Sequence, residues 1–139
     1  MSMFPTISIA GSGLSVDQTW IDTIGGNIAN AQDNVTPGQP VYREQSVEVA
    51  PLPNVSVTGQ VGPGSGVHVE AINLSAGKGI LTYDPTNPIA NKQGYVLSPN
   101  INMGHELTTL VEAQVNYEAD ATVLQNSDTA YKNVLSIKA

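Results

Sequence analysis

Few residues in this chain offer reactive chemistry. His68 and His105 are the two imidazoles, and there is no cysteine. The missing thiol excludes disulfides, thiol catalysis and cysteine-bound zinc. A histidine acts as a general acid or base only beside a group that orients it and a proton within reach. Neither His68, inside an alternating apolar run, nor His105, at the start of a helical pattern, stands near a cluster of acids or a nucleophile signature. The stretch GSGLS, Gly11 to Ser15, lacks the preceding strand that a serine elbow needs. GPGSG at Gly62 to Gly66 and GKG at Gly77 to Gly79 complete no phosphate loop. Acidic residues are scattered singly, and Asn34, Asn54 and Asn73 begin N-x-S/T triplets of the kind chance supplies. The expectation is a protein with no catalytic, cofactor-binding or metal-binding residues, and so not an enzyme.

Composition narrows the partners. The chain has 139 residues and a net charge of −7. No basic patch exists to meet nucleic-acid phosphate or anionic lipid. No apolar run approaches the ~20 residues that span a bilayer, so no membrane insertion is expected. The first basic residue is Arg43, so the N-terminus has no positive region of a cleaved secretory signal. With one Trp, one Phe and five Tyr, the core must be modest.

Proline divides the chain in three. Eight of the nine prolines lie between Pro37 and Pro99, and none follows Pro99. After it, Met103, Leu107, Leu110, Gln114, Tyr117, Ala121, Leu124, Asp128, Tyr131, Leu135 and Lys138 recur at alternating spacings of 4 and 3. Such spacing is a heptad seam, and it predicts a helix over Gly104 to Ile137. Glu106 and Glu112 near its start and Lys132 and Lys138 near its end suit the helix dipole. The first part carries a shorter version: Ile7, Ala10, Leu14, Asp17, Ile21, Ile24, Ile28 and Ala31. Gly25 and Gly26 interrupt it, each costing roughly 1 kcal/mol against Ala.

Between them, Tyr42 to Val49, Val67 to Leu74 and Ile80 to Tyr83 read as short strands. Residues 51–66 read as an exposed loop. The expected fold is α+β. A coiled-coil part is made of an N-terminal helix in 1–32 and a C-terminal helix in 103–139, with a small β-rich middle, 33–102, between them. A helix of about 34 residues is roughly 51 Å long, whereas a compact globule of this chain length is only ~37 Å across. The helix must project, and its apolar stripe needs a cover. Isolated helices are marginal in water, so both ends are expected to complete their order when several copies pack.

Two motifs carry a resemblance. The first helical pattern ends in Asn27, Ala29 and Asn30, and after a turn the chain enters a strand through Tyr42 and Arg43. Before the second helix stands YDPTNPIANKQGYVLSPNIN, with Pro85, Asn87, Pro88, Gly94, Tyr95, Pro99 and Asn100. Together with the run NYEADATVLQN, Asn116 to Asn126, these resemble the flagellar axial family of rod and hook proteins, and within it the proximal-rod subunits of the basal body. The resemblance implies a structural subunit of the periplasm-spanning drive shaft, exported without a cleaved signal. It is expected to be monomeric in isolation and to join a higher-order helical assembly. The implied partners are other rod subunits, the basal-body ring and the export gate. The residues expected at the subunit interface are Leu14, Ile21, Ile24 and Ile28, facing Leu107, Leu110, Tyr117, Leu124, Tyr131 and Leu135. Another axial subunit, or a secreted oligomeric coiled-coil binding module, is the alternative.

Overall fold

The computed structural model describes residues 4–52 and 64–137. Helix α1 runs Phe4–Asn30, strands β1 to β4 follow at Gln45–Pro51, Val67–Leu74, Ile80–Tyr83 and Tyr95–Ser98, and helix α2 runs Met103–Ile137. The α+β class stands. Among the described residues no helix is long and apolar enough to cross a membrane.

The buried face of α1 follows the expected 3/4 spacing. Ala10, Asp17 and Ile24 are buried, and Leu14, Ile21 and Ile28 are half-buried. Val16, Thr23 and Asn27 widen this face. The helix keeps its glycines for a local reason at Gly13, where an added Cβ would collide with the Asp120 carboxylate of α2. It ends where Asn30 Nδ2 donates to the Gly26 carbonyl at 2.7 Å.

Two two-stranded sheets make up the middle, β1 with β2 and β3 with β4. The second is antiparallel, with Ile80 opposite Ser98 and Tyr83 opposite Tyr95. Val35 extends it by bridging Leu97. Strand β4 has no counterpart in the sequence reading, because four residues between Gly94 and Pro99 look like turn chemistry until β3 lies beside them. In β2 the alternation holds: Val67, Val69 and Ala71 are half-buried, while His68 and Glu70 face solvent. Of the expected loop 51–66, Pro51 ends β1, and Leu52 N–H donates to Gly66 O while Ser65 N–H donates to Leu52 O. Residues 53–63 lie outside the described residues.

On α2 the inward residues are Glu106 and Ala113, with Leu110, Asp120, Leu124 and Tyr131 half-buried. Leu107 and Leu135 are exposed, as are Gln114 and Asp128. Half of the heptad seam therefore points inward. The other inward column lies one residue earlier and is small or polar, which lets α1 approach closely at Gly13.

The chain divides into two compact units. One comprises Met1–Ile21, Val47–Ala71 and Glu112–Ala139, and the other Asp22–Ser46 and Ile72–Val111. Each core is thin: Ala10, Val16 and Ala113 in the first, Ile24 and Val96 in the second.

Gly94 turns the chain between β3 and β4 at φ +81°, a left-handed conformation that costs an L-residue roughly 1–2 kcal/mol. A Cβ there would stand 2.9 Å from the Tyr83 ring and 3.1 Å from Pro85 Cβ. Gly94→Ala is expected to lower the thermal midpoint by several degrees, read by circular dichroism. An unchanged midpoint would show that this turn is not held as described.

Candidate functional site

Asn27, near the end of α1 and only 1% exposed, joins three elements. A primary amide offers two donors and two acceptor positions, and Asn27 uses all four. Its Nδ2 donates to the Gln45 carbonyl at 2.8 Å and to Glu106 Oε2 at 3.1 Å. Its Oδ1 accepts from Gln45 N–H at 2.9 Å and from the Tyr42 hydroxyl at 3.2 Å. Toward Gln45 the side chain behaves like a peptide group, giving the first residue of β1 the pair of bonds that a neighbouring strand would give. One amide thus ties α1, the entry to β1 and the first turn of α2. Arg43 fastens the other side of that entry. Its Nε donates to Ser75 O at 2.6 Å and its Nη2 to Leu74 O at 3.2 Å, at the end of β2.

Glu106 is 4% exposed, and the Glu44 carboxyl lies beside it. Burial first, then the charge of Glu106 and the hydrogen bonding open to its carboxyl, push the Glu44 carboxyl above its ordinary value of 4.5, with His105 opposing them. Burial, followed by the Glu106 charge, also raises the Tyr42 phenol. The scatter of acids along the sequence hid this pair, since Glu44 and Glu106 meet only through tertiary folding.

The approach to α2 is stiffened by side chains bonding to their own turns. Asp84 accepts from Thr86 Oγ1 at 2.8 Å and from Asn87 Nδ2 at 3.2 Å. These bonds hold its carboxyl below the usual 3.8. Asn91 Oδ1 accepts from Gln93 N–H and Tyr95 N–H. Pro99 is buried. Asn102 then caps α2, its Oδ1 accepting from His105 N–H at 3.2 Å, the bond that satisfies an orphan first-turn donor. Among the described residues no group of three His, Cys, Asp or Glu could hold a metal ion.

With this geometry in hand, the comparisons with known proteins are decisive. The family described as "Flagellar basal body rod FlgEFG protein C-terminal" matches residues 92–137. The flagellar basal-body rod protein FlgC of Borreliella burgdorferi is 33% identical over 99% of this chain and 98% of its own length. FlgC of Agrobacterium fabrum is 34% identical, over 94% of this chain and 92% of its own length. FlgC of Bacillus subtilis is 28% identical over 99% of both. The chain belongs to the FlgC family of flagellar basal-body rod proteins.

The rod-family motif residues divide by role. Asn27, Tyr42 and Arg43 meet around the β1 entry, as above. Asn30 closes α1, while Ala29 is exposed. Asn87, Gly94 and Pro99 are structural members of the approach to α2, whereas Pro85, Pro88 and Asn100 are exposed. Tyr95 packs its ring against Tyr83, with centroids 5.2 Å apart. Of the residues expected at the subunit interface, Ile24 is buried, Leu14, Ile21, Ile28, Leu110, Leu124 and Tyr131 are half-buried, and Leu107, Tyr117 and Leu135 are exposed. Sequence reasoning missed Glu106 as a buried partner, reading it only as a helix-dipole charge. The signal available was its position one turn after the Asn102 cap, on the face where α1 arrives.

Removing the Asn27 amide would leave the Gln45 backbone and Glu106 without their partners, each orphan costing about 1–3 kcal/mol. Asn27→Ala is therefore expected to destabilise this rod-family chain by about 3 kcal/mol or more, measured by chemical denaturation; a cost near zero would refute the hub. The pH sign is set by Glu44. Its folded pKa is raised, so its contribution is complete below 4.5 and is lost as pH rises through the folded value. Glu44→Gln, which keeps a donor toward Glu106 without needing a proton, is expected to remove that part of the pH dependence. A stability–pH curve unchanged from wild type would contradict it.

Proposed function

We propose that the chain is a proximal-rod subunit whose two terminal helices, 1–32 and 103–139, pack with those of other copies and other rod subunits into a coiled-coil tube. The middle, 33–102, decorates that tube. The shaft so formed spans the periplasm and transmits torque, abutting the basal-body ring and the export gate. The subunit travels without a cleaved signal and is monomeric when isolated.

One observation carries this reading. Apolar side chains along α2 stay open in the single chain: Leu107 at 50%, Val111 at 60%, Val115 at 58%, Val134 at 57% and Leu135 at 53%. A stable monomer has no use for that much uncovered apolar surface on one helix. Burying each such side chain against a neighbour is worth roughly 1.5–3 kcal/mol. Repeated along a filament whose contacts do not close, small terms of this kind sum to a rigid shaft. The hydrogen-bonded block from Asp84 to Asn102 supports the same reading, because a stiff exit for α2 defines how each copy meets the next.

Val115→Asp and Leu124→Asp separate folding from assembly. Val115 is exposed, so its replacement is expected to leave the thermal midpoint of the purified chain within about 2 °C. It is nevertheless expected to abolish motility and basal-body incorporation in a strain lacking the native gene. Leu124 is half-buried, and its replacement is expected to impair both. Normal motility with either variant would defeat the proposal, and so would a discrete small oligomer of the wild-type chain in sedimentation.

A further inference from the structure

Asp17 lies on the buried face of α1 and is 8% exposed. Its Oδ2 is buried and makes no hydrogen bond. Such an atom is costly as part of a carboxylate, because burial removes water and supplies no donor in exchange. Gly13 stands one helical turn before Asp17, on the same face of α1. The Asp120 carboxylate of α2 rests directly on Gly13, in the space a Cβ would fill. Two carboxyl groups from different helices therefore occupy one seam, and neither has a basic partner there. Asp120 also lines an open cavity of about 260 Å³ with Ala10, Gly13, Gly66, Val67 and Val123. That cavity opens the Asp120 side of the seam to water, whereas Asp17 does not line it.

The surrounding charges do not cancel it. On the strands of this unit Glu48, His68 and Glu70 face solvent. On α2 Glu112 and Glu118 are exposed, and Lys132 is held by Asp128 at 2.6 Å. Tyr117 and Tyr131 bring neither a carboxylate nor a cation. Asp120 is the charged neighbour whose field reaches Asp17.

We propose that the Asp17 carboxyl, buried without a donor in the seam where the Asp120 carboxylate rests on Gly13, keeps its proton in the folded chain, so that acidification tightens the seam between α1 and α2 and neutral pH loosens it. A neighbouring negative charge disfavours the ionised form of a carboxyl that burial already deprives of water. The direction agrees with the Asp17 carboxyl itself, which burial first and the Asp120 charge second push above the ordinary 3.8. The sign follows. A folded pKa above the unfolded value gives stability that is complete below 3.8 and is lost as pH rises through the folded value. The inference does not depend on the rod reading, since it concerns the isolated chain.

Carbon-detected NMR on the full-length chain, labelled at aspartate, reads the Asp17 carboxyl directly across pH. Asp17 is expected to titrate above 3.8. Asp17→Asn and Asp120→Asn are each expected to raise the thermal midpoint at pH 7.5 by about 3 °C, to leave it little changed at pH 4.5, and not to add in the double variant. A normal or lowered Asp17 titration in the wild-type chain would overturn the proposal without any variant needing to fold. So would a wild-type pH dependence preserved in Asp17→Asn. Because Glu44 also titrates, Glu44→Gln serves as a background in which the Asp17 effect is expected to persist.

Discussion

The structure depends on a buried side-chain amide with every hydrogen-bonding position filled. Asn27 lies where the end of α1, the first residue of β1 and the first turn of α2 converge. A core this poor in large apolar side chains cannot define such a junction by shape alone. Hydrogen bonds do it instead, because a buried amide tolerates one arrangement of partners and penalises others. A glycine, Gly26, precedes Asn27, and Tyr42 Oη stands 3.5 Å from where its Cβ would be. That is ordinary van der Waals contact, so the Tyr42 hydroxyl reaches Asn27 while lying directly over the helix.

The two acid pairs share a logic with this hub. Glu44 with Glu106, and Asp17 with Asp120, place carboxyls from distant parts of the chain in poorly hydrated seams. Each weakens the folded chain where an apolar pair would strengthen it. On the proposed reading, in which neighbouring subunits cover α2, modest stability of the lone chain is no handicap, and the apolar side chains exposed on α2 are where those neighbours would pack. Polar residues on the inward column of α2 and apolar residues on its outward side are what a helix needs if its principal partners belong to other molecules.

Local hydrogen bonds are concentrated in the approach to α2. Asp84, Asn87 and Asn91 bond to their own turns, Gly94 supplies a left-handed step, Pro99 is buried and Asn102 caps α2. A flexible linker in its place would leave the direction of α2 undefined, and under the proposed assembly copies could not repeat regularly.

Much of the fold is legible in the residues themselves. The proline-free ends, the 3/4 spacing from Ile7 to Ala31 and the heptads after Met103 determine both helices, because helical period and helix-breaking chemistry act locally. Strands β2 and β3 are likewise local, set by alternation and flanking turns. The family motifs also pointed to Asn27 and Tyr42, although nothing local says what Asn27 bonds. Only the tertiary structure decided that β4 exists, since four residues become a strand by having β3 beside them. It alone joined Glu44 to Glu106 and Asp17 to Asp120. Proximity between residues dozens of positions apart leaves no periodicity to read, and a carboxyl's cost depends on the water and charges around it, which belong to the fold and not to the chain.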